Sequence, residues 1–273
     1  MFARMWGKSR KVAPNDPKNN THKSKSKFTG KVVPYTVNPL YNNVFNFEKR
    51  IKKMESIVNK NGMLLKIKGN INSNVKSDIR VVLAAVKQNG LALQYANKYK
   101  NYKRVVMEAV KQNGLAIEFA SEDLQGDDDI VKEALKNEDV LYIDGLLENR
   151  EFVLAAVKYK SYLLRDICIE MNDNHYTKDK EIVMAAVKQD GYIIVDTPFT
   201  NDPDVGLIAV QQKGNVLKRL NENLKNNKKI VLAAVKQNGL AIEFASNNLK
   251  QDKEIIETAI KQNGLAIYKT ELW

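Results

Sequence analysis

The sequence predicts an all-α repeat array, an α-solenoid of about nine units of roughly 25 residues, each a helix-turn-helix, behind an extended basic N-terminal arm. Three observations predict it. The string Ala-Val-Lys-Gln-Asn-Gly recurs intact at Ala85–Gly90, Ala109–Gly114 and Ala234–Gly239. It recurs with one change at Ala186–Gly191, where Asp190 replaces Asn, and at Ala259–Gly264, where Ile260 replaces Val. Self-similarity at a near-fixed period is the mark of a repeat protein. Apolar pairs at helical spacing precede the string, as in Ile182-Val183 followed by Ala186-Val187. Short polar residues stand where seven of the nine such helices would begin.

Nine copies align on the glycine position: Gly62, Gly90, Gly114, Asp139, Ser161, Gly191, Gly214, Gly239 and Gly264. Asp or Asn stands twelve residues earlier at Asp78, Asp127, Asn149, Asp179, Asp202, Asn227 and Asp252. Such side chains cap the free N–H groups of a helix start. Acids follow at Asp129, Glu151, Glu181, Asp204 and Glu254, facing the positive end of the helix dipole. Pro203 sits at a first helical position, where its missing N–H costs nothing. The glycine then closes the helix in a left-handed C′ conformation. Beyond it runs a second short apolar segment, Leu115 to Ala120 in one copy and Leu240 to Ala245 in another. Recurring Ala favours a second helix. The Leu-x-Ile-x-Phe alternation also permits a strand, which would make a horseshoe of helix-plus-strand units. A single unit cannot bury its apolar face, so neighbours must stack. Packed at helix-to-helix spacing, nine units give a rod on the order of 80–90 Å long. Its C-terminal residues, Tyr268 to Trp273, carry no polar capping helix.

With 273 residues, 44% of them hydrophobic, the chain can bury a sizeable core. No stretch approaches the length of a membrane span. Met1 to Lys11 is basic with no apolar run behind it, so no secretory signal is expected. Cys168 is the only cysteine, which fits an intracellular, reducing setting. The charge is uneven. Residues 1–50 hold 11 Lys/Arg and 2 Asp/Glu, whereas the remainder holds 33 and 30. Residues 1–46 are therefore expected to form a basic arm, and 47–273 the array. Within the arm, residues 31–47 interleave prolines and aromatics and read as an extended strip lying on its own first repeat or on another protein. The candidate partner-binding residues are Lys8, Arg10, Lys11, Lys23, Lys25, Lys27, Lys31, Pro34, Tyr35, Pro39, Tyr41, Phe45 and Trp273.

No catalytic, cofactor-binding or metal-ligating set is expected. His22 and His175 bear no fixed relation in sequence, and Cys168 lies in an apolar segment that reads as core. Asp127-Asp128-Asp129 is explained by capping and by the helix dipole. Lys87, Lys111, Lys136, Lys158, Lys188, Lys236 and Lys261 form a ladder that stacking would align into a basic stripe. That stripe is a candidate polyanion track. The bland alternative is that each lysine offsets the negative end of its own helix. The step around Met171 to Lys178 is the longest between copies and reads as an exposed loop.

The repeat, best seen in Lys228–Ser246 and well matched at Lys180–Gly191 and Arg104–Ser121, resembles the family known as domain of unknown function 4116. The resemblance covers residues 76–270, with a degenerate copy at Phe47–Lys68. It implies a helical array and a viral origin, since such repeats abound in large DNA viruses of protists. It implies no catalytic residue. The expected function is a non-enzymatic structural or interaction protein, a minor capsid-associated virion component whose partners are capsid subunits. A host-directed protein-binding module in the host cytoplasm is the alternative, and a nucleic-acid binder the next.

Overall fold

A computed structural model describes the backbone over residues 39–66 and 73–270, and side chains over 46–65 and 74–270. By contact the chain divides at Asn42/Asn43, and the second part, Asn43–Trp273, carries the repeats. Among the described residues there is no strand: every unit pairs an α-helix with a second, shorter helical segment. No helix among them is long and apolar enough to cross a membrane.

Among the described residues nine main helices follow one another: Pro39–Val58, Ile79–Gln88, Lys103–Gln112, Asp128–Ala134, Arg150–Tyr159, Lys180–Val187, Pro203–Gln212, Lys228–Gln237 and Lys253–Gln262. Seven of the nine begin for the reason the sequence suggested, whereas Lys103–Gln112 opens at Tyr102 with no side-chain cap. The side chains of Asp78, Asp127, Asn149, Asp179, Asp202, Asn227 and Asp252 all accept bonds from backbone amides of the turn they open. Each main helix buries the same face. In Lys228–Gln237 the buried residues are Ile230, Val231, Ala234 and Val235, and the matching four are buried in Lys103–Gln112.

The second segments settle the helix-or-strand alternative as helix, of the tight 3₁₀ kind. They run over Gly62–Lys66, Gly90–Tyr95, Gly114–Phe119, Glu138–Tyr142, Gly191–Asp196, Gly214–Arg219, Gly239–Phe244 and Gly264–Lys269. Asn or Asp before the segment caps it: Asn89 Oδ1 accepts from Leu91 N–H at 3.0 Å, and Asp190 Oδ1 from Tyr192 N–H at 3.1 Å. The fifth unit differs. Its second segment is a full α-helix, Leu163–Glu170, followed by a 3₁₀ turn at His175–Lys178. The long step between copies therefore holds a helix and a short turn instead of a plain loop.

Three expectations are corrected. The recurring glycines are not left-handed: Gly145 is the only described glycine with positive φ. The helix-ending residue is the asparagine before the glycine, and it is extended, with φ −147° and ψ 109° at Asn89. In the fourth unit the residue in the glycine's place is Glu138, not Asp139. Asn137 N–H bonds to Ala134 O, three residues back, where Asn113 N–H bonds to Ala109 O, four back. One residue is missing from that helix end, which shifted the alignment. Finally, the stretch read as extended over 31–47 is helical from Pro39 onward. Pro39 is the first helical residue, where proline breaks no bond, and Phe47, Ile51, Met54 and Val58 repeat at helical spacing. Ile51, Met54 and Val58 are buried, and Phe47 packs against the core.

Candidate functional site

The recurring string is a joint between repeats, and its Ala, Gln, Asn and Gly each have a part. The Gly90 amide donates to Oε1 of Gln112, the glutamine of the following unit. The same bond joins Gly62 to Gln88 at 2.5 Å, Gly214 to Gln237 at 2.6 Å and Gly239 to Gln262 at 2.5 Å. The glycine also receives the next helix directly. A Cβ on Gly90 would stand 2.3 Å from the carbonyl oxygen of Ala109, and on Gly239 2.3 Å from that of Ala259. Real Cβ atoms do not approach an oxygen so closely, so only glycine fits. The alanine on the other side of the joint supplies the backbone carbonyl and is itself buried, as at Ala109 and Ala259. A Cβ on Gly264 would meet no atom of the described residues within 4 Å.

A second joint lies at the helix starts. Lys103 Nζ binds Asp127 at 2.8 Å and Asp129 at 2.7 Å. Lys180 binds Asp202 and Asp204, and Lys228 binds Asp252 and Glu254, in the same way. Arg150 makes the version with two-pronged geometry, with Nε 2.7 Å and Nη2 3.1 Å from Asp179 and Nη2 2.7 Å from Glu181. The first helical residue of one unit thus clamps the cap and the following acid of the next. Hydrogen bonding to Arg150 holds the Asp179 carboxyl below the ordinary range against the opposing effect of burial. Sequence reasoning assigned these acids to the helix dipole and missed the clamp. A cation at the first helical position, one unit before each Asp-x-Asp or Asp-x-Glu, was the available signal.

The lysine ladder is exposed at its positions. Three rungs are already paired: Lys87 with Glu108 at 3.7 Å, Lys136 with Glu133 at 2.7 Å and Lys158 with Asp128 at 3.3 Å. Acids therefore interrupt the basic stripe. Asp127, Asp128 and Asp129 each face a lysine, which accounts for the acidic triplet without a metal. Cys168 is buried at 6% exposure, and burial pushes its thiol up.

Of the candidate partner-binding residues, Lys8, Arg10, Lys11, Lys23, Lys25, Lys27, Lys31, Pro34, Tyr35 and Trp273 lie outside the described residues. Pro39, Tyr41 and Phe45 lie on the first helix, Pro39–Val58, in place of the extended strip expected there. Their side chains are outside the described set.

The feature the sequence did not single out flanks the Leu163–Glu170 helix. A groove of about 690 Å³ runs between it and the Gly191–Asp196 segment, and a smaller one of about 200 Å³ lies on its other side, toward Glu138–Tyr142. Tyr162 and Asp166 line both.

These joints and the all-helical units define the class: a helical repeat protein built by repeat-to-repeat cohesion. The chain belongs to the family described as domain of unknown function DUF4116. The family model matches six times, over residues 53–99, 102–144, 149–199, 179–225, 202–250 and 227–270. No curated protein and no solved structure matches the chain.

Proposed function

We propose that this chain is a non-enzymatic protein-interaction scaffold. The observation that carries it is the division of labour between the repeated and the unrepeated residues. The repeated Ala, Gln, Asn and Gly and the cation–acid clamps are engaged between or within units. Side chains outside the repeated string are exposed around the fifth unit, Tyr142, Tyr162, Ile169 and Tyr192 among them, on a framework held by both joints. Recognition elements set on a rigid scaffold are the usual arrangement in arrays of this kind.

The concrete form of the proposal is a virion component of a large DNA virus, supported by the family resemblance and by the concentration of positive charge in residues 1–50. Quantitative mass spectrometry of purified particles tests it. Stoichiometric presence that survives high salt is the expected result. Absence from particles removes the virion role and leaves a binding module acting inside the host cell. The scaffold reading itself is tested by cross-linking the full chain in its native setting: reproducible cross-links from the array to a defined protein are expected. Cross-links to nucleic acid alone would overturn it.

A further inference from the structure

We propose that the two grooves beside the Leu163–Glu170 helix dock a basic peptide segment of a partner protein, one whose Lys or Arg residues stand next to a bulky apolar side chain. This deepens the scaffold reading and rests on it. The site exists because the fifth unit departs from the pattern. Its second segment is an eight-residue α-helix where the neighbouring units carry short 3₁₀ segments. That helix turns Leu163, Leu164, Ile167 and Cys168 inward. Its outward face nevertheless presents Ile169 at 66% exposure.

The surroundings are apolar in the same unusual way. Eight large hydrophobic residues are exposed among the described residues, and four of them, Tyr142, Tyr162, Ile169 and Tyr192, line the two grooves. Clustered exposure of this kind marks a contact surface, whereas single exposed apolar residues do not. The larger groove has Leu164 and Cys168 as its floor, with Tyr162, Ile169 and Tyr192 along its walls. The smaller one offers Leu141 and Tyr142.

Charge selects the occupant. Segments 138–148, 160–170 and 190–196 together carry eight Asp/Glu against two Lys/Arg, Lys160 and Arg165, in a chain of net charge +12. At the clamps, carboxylates such as Asp129 and Glu181 are held by a cation of the preceding unit. Around the grooves Glu138, Asp166, Glu170 and Asp196 enter no ion pair among the described residues. Unanswered carboxylates on the rim of an apolar groove repel nucleic acid and acidic proteins. They attract cations through charge-assisted bonds, and the groove receives the apolar side chain beside them.

The experiment uses the full chain and a fluorescent peptide of alternating arginine and tryptophan, with its glutamate-for-arginine counterpart as control. Anisotropy is expected to show binding of the arginine peptide and none of the glutamate peptide. Tyr162→Ser with Ile169→Ser, and separately Asp166→Lys with Asp196→Lys, are each expected to weaken binding about tenfold. These side chains are solvent-facing, so thermal unfolding of each variant is expected to match the parent. A second measurement needs no variant. Cys168 lines the larger groove, so saturating arginine peptide is expected to slow its alkylation at least threefold. Equal binding of both peptides, unchanged affinity in both double variants, or unprotected Cys168 would overturn the proposal. Each of those outcomes leaves the scaffold reading standing if the array still cross-links to a protein partner. Failure of the cross-linking with peptide binding intact strikes the scaffold reading alone.

Discussion

The amide of Gly239 donates to Oε1 of Gln262, in the following repeat, at 2.5 Å. The same glutamine reaches back with Nε2 to the carbonyl of Gln237 at 3.3 Å. One side chain thus ties a donor and an acceptor of the preceding unit. Replacing Gln262 with Met keeps the length and removes both bonds, leaving a half-buried N–H without its partner. The expected cost is about 1–2 kcal/mol in urea unfolding. Hydrogen exchange at the Gly239 amide should quicken in the variant, and an unchanged exchange rate would show that the bond contributes nothing.

Arg150 links two repeats through Asp179 and Glu181. Its hydrogen bonds lower the Asp179 carboxyl below its value in the unfolded chain. A depressed carboxylate contributes stability that is present above the unfolded value and lost as pH falls through the folded one. Parent and Arg150→Ala are therefore expected to differ by about 1 kcal/mol near neutrality, the range for a partly exposed ion-pair network. The difference should shrink as the pH is taken below that of ordinary aspartate. Denaturant titrations on either side of that pH check it, and a gap that widens in acid would contradict the clamp.

Burial raises the Cys168 thiol, so little thiolate is present in the folded chain. Iodoacetamide is expected to alkylate the folded protein at least about tenfold more slowly than the urea-unfolded protein at the same pH. Equal rates would place Cys168 at the surface.

Much of this architecture was legible in the residues. Asp179 and Asp202 were recognisable as caps because capping is local: the side chain bonds amides two and three residues on. The buried pairs, such as Ile182-Val183 and Ala186-Val187, followed from helical spacing alone. What escaped was what crosses from one unit to the next. Gly90 was assigned a left-handed turn because local rules offer that reason for Asn-Gly. Its cause is the carbonyl of Ala109, nineteen residues away in sequence. Asp129 likewise had only a local reading, at the helix dipole, and Lys103 had none, until stacking set them 2.7 Å apart. The groove beside Leu163–Glu170 was hidden for a related reason. Its residues fall where the repeat pattern lapses, and a lapse shows where to look without showing what has formed.

The central claim is that the recurring string holds repeats together. One pair of substitutions tests it most directly, because the chain carries its own control. A Cβ on Gly239 would press against Ala259 O, whereas one on Gly264, in the same string, would meet no atom of the described residues within 4 Å. Equilibrium unfolding of Gly239→Ala is expected to show a loss of about 1–3 kcal/mol or more, the range for forcing atoms into a packed contact. Gly264→Ala is expected to be neutral or stabilising by up to about 1 kcal/mol, since alanine restricts the unfolded chain at an unstrained position. Equal losses at the two glycines would mean that the glycine serves the local backbone, and the joint between repeats would have to be sought elsewhere.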